Sequence, residues 1–470
     1  MERSEAELIV AESPRLAVEL LLRLDALSAQ NAVLVERVDE LERRVRRSSR
    51  SSHQPPSSDG PSVARRQSSR EPSGRARGGQ PGHEGHTREL VADPDEVVEH
   101  DPFGCRGCGA PLNTSDRVGA AERRQVWEVP QPRATVVEHR LHACRCRRCG
   151  RRTRATLPLG VPRGAFGPNL EAIATRLVAA DRLSHRAVCR VLRDRNGVRL
   201  GQGTISRILT RGAEALTATT AAIGAAVRVA PVVNVDETSW RLAGKRLWIW
   251  SASTPDLVRV EIGRSRGPAA CRALLGDSPP GIVICDRWSG SNHLPNEQRQ
   301  ACLAHLLRDG RAVSELPGVR GEIGARLLAH LTTVFHSWQL HKHHRPALAR
   351  ALAPTIAAFD DDLVELAMTG VNAASTFAIN LISLGRALWT FSRIDGVEPT
   401  NNHAERCLRP LVIHRKTSYG NQTERGLRVY ETLQTTVQTL QLRGEHIAAR
   451  LHEAIDAANH GRPINLIAPA

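Results

Sequence analysis

Residues 231–286 constrain the fold more than any other stretch. Three runs, VVNVDET, KRLWIWSAS and LVRVEIG, precede a helix-length segment, GPAACRALLG, and a fourth run, GIVICDR. Short apolar runs rich in β-branched residues read as buried strands, so the order is βββαβ, with a tight turn near Ala243-Gly244. In a sheet so ordered, the first and fourth strands lie side by side in parallel. The strand ends carrying Asp236 and Asp286 then come together across 50 residues of sequence. Glu237 follows Asp236 directly, and alternation sends it to the other face, so it ranks below Asp236 as a ligand. A third carboxylate, Glu405 in TNNHAERCLRP, sits among Asn401, Asn402, Arg406 and Arg409 at the expected start of a helix. Carboxylates with no neighbouring His or Cys are hard oxygen ligands suited to Mg²⁺ or Mn²⁺. Two such ions about 3.5–4 Å apart would bind the attacking and leaving oxygens of a phosphoryl displacement. An arbitrary triple of acids reads as ordinary residues in turns and a helix; here the flanking sequence favours the metal reading.

The charge narrows the partner. The 470-residue chain carries a net charge of +16, which points to a polyanion, nucleic acid or an anionic membrane surface. Lys occurs only at 245, 342 and 416, so the cations are overwhelmingly Arg. No stretch is apolar enough to span a membrane. The start, MERSEAELIV, lacks the apolar core of a signal peptide, so a cytosolic protein is expected. Its ten Cys are then reduced thiols or metal ligands.

In residues 14–47, Leu20, Leu27, Leu34 and Leu41 repeat every seven, and Leu24, Asn31, Val38 and Val45 fill the alternate positions. Leu at d with Val and Asn at a is the pattern of a parallel two-stranded coiled coil, so a homodimer or higher oligomer is expected. An amphipathic helix packed on the chain's own body is the alternative. Residues 48–89, rich in Ser, Pro, Gly and Arg, read as a disordered basic linker. Cys105-x-x-Cys108 and Cys146-x-x-Cys149 form the pattern of a four-thiolate structural Zn²⁺ site in residues 90–160. Cys144 leaves the fourth ligand ambiguous. QVWEVP and ATVVEHRLHAC, between the knuckles, read as a hairpin. Residues 166–225 read as three helices, the second capped by Ser184 and the third carrying Ser206, Arg207 and Arg211. The pair resembles a helix-turn-helix. Residues 311–395 are helical, and ETLQTTVQTLQLRGEHIAARLHEAI reads as one long terminal helix within 426–470. Arg207, Arg211, Arg406, Arg409, Arg415 and Lys416 are candidate DNA contacts that position phosphates. Each is equally compatible with a plain surface cation.

Several blocks in one order resemble the insertion-sequence-66 family of bacterial transposases: SSHQPPSSDG, GGQPGHEGH, the two CxxC knuckles, VDETSW, CDRWSGSN, CLAHLLRD, TNNHAERCLRPLVIHRK and GNQTERG. The resemblance covers most of the chain. It implies a multidomain α+β protein with a ribonuclease-H-like α/β core over 226–425. It also implies a helical insertion near 311–395, which fits the 119 positions between Asp286 and Glu405. Asp236, Asp286 and Glu405 would be a DDE triad holding two Mg²⁺ or Mn²⁺. The implied activity is DNA strand cleavage and strand transfer of an insertion sequence, in the bacterial cytoplasm at the nucleoid. Element-encoded accessory proteins are a further class of partner. Cys302 and His305 would support the site. Two other classes use the same features: a ribonuclease-H-like nuclease or resolvase that cuts without joining, and a non-catalytic DNA-binding regulator derived from a transposase.

Overall fold

The computed structural model describes residues 89–467 except 130, 131 and 163, together with Gly82 and scattered positions between 15 and 38. Those scattered positions are helical, and Leu27, Leu34 and Val38 among them are exposed. Leu20, Leu24, Leu41 and Val45 of the heptad pattern, and residues 48–81 and 83–88 of the linker, lie outside the described residues. The architecture is mixed α and β. The chain divides into a small unit, Ala64–Ala134, and a large one containing Thr135–Ala470.

The small unit holds the first CxxC knuckle, a bridge between Gly104 and Pro111, and an exposed Arg117–Asp101 ion pair at 2.6 Å. The second knuckle lies between β1 (Ala143–Arg145) and β2 (Arg152–Arg154), an antiparallel pair. Neither QVWEVP nor ATVVEHRL forms a strand among the described residues. Val126 and Val136 are almost fully exposed, so their side chains bury no apolar surface that would favour an extended pairing.

The large unit is built on a five-stranded sheet, order β5-β4-β3-β6-β7, from β3 (Val232–Leu242), β4 (Lys245–Ser253), β5 (Val258–Gly263), β6 (Ile282–Cys285) and β7 (Arg299–Ala301). The first three strands are antiparallel, and β6 and β7 run parallel to β3. Ala243 and Gly244, both at positive φ, make the β3–β4 turn. Alternation divides the apolar side chains at the start of β3 and in β6 between two cores. Val233, Val235, Val283 and Cys285 pack with Cys271, Leu274 and Leu275 of the crossover helix (Pro268–Leu275). Ile282 and Ile284 face the helices of the insertion.

Four helices precede the sheet: α1 (Pro168–Ala179), α2 (His185–Asn196), α3 (Gln202–Ala215) and α4 (Thr217–Val229); the crossover helix is α5. Ser184 caps α2 by accepting from the Ala187 amide at 3.2 Å, as its sequence position predicts. The insertion after β7 comprises α6 (Leu303–Ser314), α7 (Val319–His341), α8 (Arg345–Ala367) and α9 (Ala373–Leu384). Then follow α10 (Asn402–Ser418), α11 (Glu424–Leu442) and α12 (Ile447–Asn459). The expected single terminal helix is thus two. Gly444, at φ +68°, ends the first, and His446 caps the second by accepting from the Ala449 amide. Leu433, Val437, Leu451 and Ile455 of this pair share one core with Val188, Leu192, Ile205 and Ile208 of α2 and α3.

Helix α11 also closes the open edge of the sheet. The amides of Val258 and Val260 donate to the hydroxyls of Thr439 and Thr435, each at 3.0 Å, and the Ile262 amide donates to Glu431. Four residues of helix rise about 6.0 Å and two residues of strand about 6.7 Å. Every second edge amide therefore meets every fourth helical side chain.

Candidate active site

Asp236 stands on β3, two positions beyond the Asn234–Ile284 pairing, and Asp286 directly follows β6. The parallel register brings the two carboxylates together as the βββαβ order predicts. Glu405 arrives on the first turn of α10, which is pinned to the same place. The Asn401 side chain donates to the Val235 carbonyl at 2.7 Å and accepts from Asn234 at 3.0 Å. The Asn401 amide donates to the Cys302 thiol at 3.2 Å. The Cys302 amide in turn donates to the carbonyl of Cys285, beside Asp286, at 2.9 Å. Cys302 thus links the segments bearing Asp286 and Glu405. Its burial pushes the thiol up to about 11, so it stays protonated at neutral pH.

The carboxylate cluster differs from the expectation in one respect. Oxygens of Asp236, Glu237 and Asp286 all lie within 4.8 Å of one another, so Glu237 joins the cluster despite strand alternation. Asp286 lies past the end of its strand, where the pleat no longer dictates direction, and so reaches the Glu237 side as well. Glu405 stands beside this group, half-buried, with Arg308 at 3.7 Å and His305 at 4.0 Å.

The electrostatics suit a cation. Burial, then the charges of Glu237, Asp286 and Glu405, push the Asp236 carboxyl well above the usual carboxylate range. Burial and the Asp286 charge raise Glu237 to about 7, against the pull of Arg266. Carboxylates crowded so that they resist ionising together are the donor set a divalent ion would relieve.

The candidate DNA cations divide by environment. Arg406 and Arg409 are exposed on α10, Lys416 is exposed near its end, and Arg207 is exposed on α3 with a 3.1 Å bond to Thr204. Arg211 is instead paired with buried Glu171 of α1. Arg415 donates to the hydroxyls of Thr238 and Ser239 on β3 at 3.1 and 2.6 Å. These two hold elements together.

Each CxxC knuckle, taken within its own unit, makes the same turn. The Gly109 amide donates to the Cys105 carbonyl at 2.8 Å, and the Gly150 amide to the Cys146 carbonyl at 2.9 Å. Both glycines adopt positive φ. Backbone amides of Cys108 and Gly107 lower the Cys105 thiol, and those of Cys149 and Arg148 lower Cys146. Thiols so disposed favour the thiolate that Zn²⁺ requires. Cys144 lies outside the second turn, opposite Thr153 in the hairpin.

Residues 163–429 match the family model described as transposase IS66 family. The chain belongs to that family. Residues 103–150 match the zinc-finger binding domain of IS66 transposases, and residues 2–89 match a family of unknown function. A search of curated proteins finds no match. The family match spans the sheet, the insertion and α10, so the three acids fall inside it. Among the described residues, no helix is long and apolar enough to cross a membrane.

Proposed function

We propose that this IS66-family chain cuts and joins DNA by metal-dependent phosphoryl transfer, with Asp236, Asp286 and Glu405 as its catalytic acids. The observation that carries this reading is the convergence of Asp236 and Asp286 at adjacent parallel strand ends, with Glu405 beside them. The sheet, three antiparallel strands followed by two parallel ones, supports a ribonuclease-H-like core with α6–α9 as its insertion.

The three carboxylates would hold two Mg²⁺ or Mn²⁺ ions, which when bound supply Lewis-acid activation of the nucleophile and charge neutralisation at the leaving oxygen. The residues' own contribution is placement. Asn401 and Cys302 fix the strand ends and α10 as one frame, so the acids need little reorganisation when substrate arrives. Water would attack a phosphodiester at the element's end and free a 3′-hydroxyl, which would attack target DNA. No Ser or Tyr nucleophile is required. Arg406 and Arg409, exposed on the helix bearing Glu405, would position phosphates. Helices α2 and α3, joined by a turn from Gly197 to Gly201, would read DNA as a helix-turn-helix, with Arg207 among the contacts. Cys105, Cys108, Cys146 and Cys149 are the proposed ligands of a structural Zn²⁺.

Asp236→Asn, Asp286→Asn and Glu405→Gln should each lower strand cleavage of element-end DNA by at least about a thousandfold, while DNA affinity stays within about threefold of the parent. Cleavage persisting in any of them excludes that residue from the triad. A parent protein that cleaves but never joins would instead favour the nuclease class.

A further inference from the structure

We propose that Glu237 is an additional ligand of the cation site, and that Arg266 is the resident countercharge that holds it until a divalent ion enters. This rests on the active-site reading above. The Glu237 side chain is 4% exposed and its Oε1 accepts from Arg266 Nε at 2.8 Å. Its oxygens also share the 4.8 Å cluster with Asp236 and Asp286. One carboxylate thus faces both a guanidinium and the place a cation would occupy.

Two tryptophans fix Arg266 there. Its guanidinium lies 3.5 Å from the Trp288 ring centroid and 4.6 Å from that of Trp248, cation–π contacts that favour a delocalised cation. The Trp288 indole donates to the Arg266 carbonyl at 3.0 Å. The Trp288 backbone amide donates to Asp286 Oδ1 at 2.9 Å. Trp288 therefore couples the arm carrying Arg266 to the second aspartate. Arg308 forms a looser ion pair with the half-exposed Glu405, at 3.7 Å. Glu237 and Glu405 thus each have an arginine nearby, which limits repulsion among the acids around the Asp236–Asp286 pair.

Because Arg266 and the divalent ion compete for one carboxylate, removing either partner has an opposite effect. In the full-length protein without DNA, Mn²⁺ titration by calorimetry and electron paramagnetic resonance should show Glu237→Gln weakening one binding step by about tenfold or more. Arg266→Gln should tighten that step severalfold, and in the Glu237→Gln background it should change little. Thermal melts give a second readout. Mn²⁺ should raise the melting temperature more in Arg266→Gln than in the parent, and less in Glu237→Gln. Asp236→Asn separates the two levels of the argument. Normal Mn²⁺ binding in that variant overturns the active-site reading itself. Lost binding in Asp236→Asn beside unchanged binding in Glu237→Gln, or an Arg266 effect that persists without Glu237, overturns only this inference.

Discussion

His414 illustrates how a single side chain reports its surroundings. It lies under the sheet near the stacked pair Trp240 and Tyr430, with ring centroids 5.0 Å from Tyr430. Burial first, then Arg182, lowers it to about 4, so it is neutral in the native state at pH 7. A histidine that titrates near 6.5 unfolded and near 4 folded takes up its proton more readily in the unfolded chain across that window. Its contribution is therefore complete above about pH 6.5 and lost as pH falls toward 4, a difference of about 3 kcal/mol. Burial lowers His185 as well, which adds in the same direction. Urea unfolding from pH 7 to 4 should show this acid loss, and His414→Phe should remove most of the His414 share. An unchanged pH slope in the variant would mean the ring is solvated. Nothing around His414 in the sequence signals this, because its partners arrive from β3 and α11. The same distance hid Arg266, 29 positions from Glu237 and on a loop with no periodicity. Strand alternation does not foretell that Glu237 joins the cluster, because Asp286 lies beyond the end of its strand.

At the scale of elements, the strands are legible where β-branched residues cluster, as at the start of β3 and through β6. Strand β7, only Arg-Gln-Ala, carries no apolar signature and exists because β6 offers it a parallel neighbour. The break at Gly444 is hard to see in the sequence because the apolar spacing of LQLRGEHIAA continues across it. Least visible was the seal between α11 and β5, since a threonine in a helix rarely announces an acceptor for a strand amide. Removing one such hydroxyl leaves a buried N–H without its partner, at a cost of about 1–3 kcal/mol. Thr435→Val and Thr439→Val should each lower unfolding free energy by about that amount, measured in urea. Losses under about 0.3 kcal/mol would mean water satisfies the edge instead.

Over the whole molecule, the heptads of residues 14–47 and the exposed apolar positions Leu27, Leu34 and Val38 support a proposed parallel dimer. Charged side chains at two d positions would face each other across such a seam. Leu27→Glu with Leu34→Glu should thus halve the mass found by light scattering, and an unchanged mass would assign oligomerisation elsewhere. The basic charge of +16 suits a DNA partner, but the chemistry rests on the acids it surrounds. Crystals soaked in Mn²⁺ and measured at the manganese absorption edge test that claim most directly. The account predicts anomalous peaks among Asp236, Asp286 and Glu405, with carboxylate oxygens about 2.0–2.2 Å from each ion. Saturating Mn²⁺ that leaves this pocket without a peak, with Arg266 and Arg308 still on their acids, would contradict it.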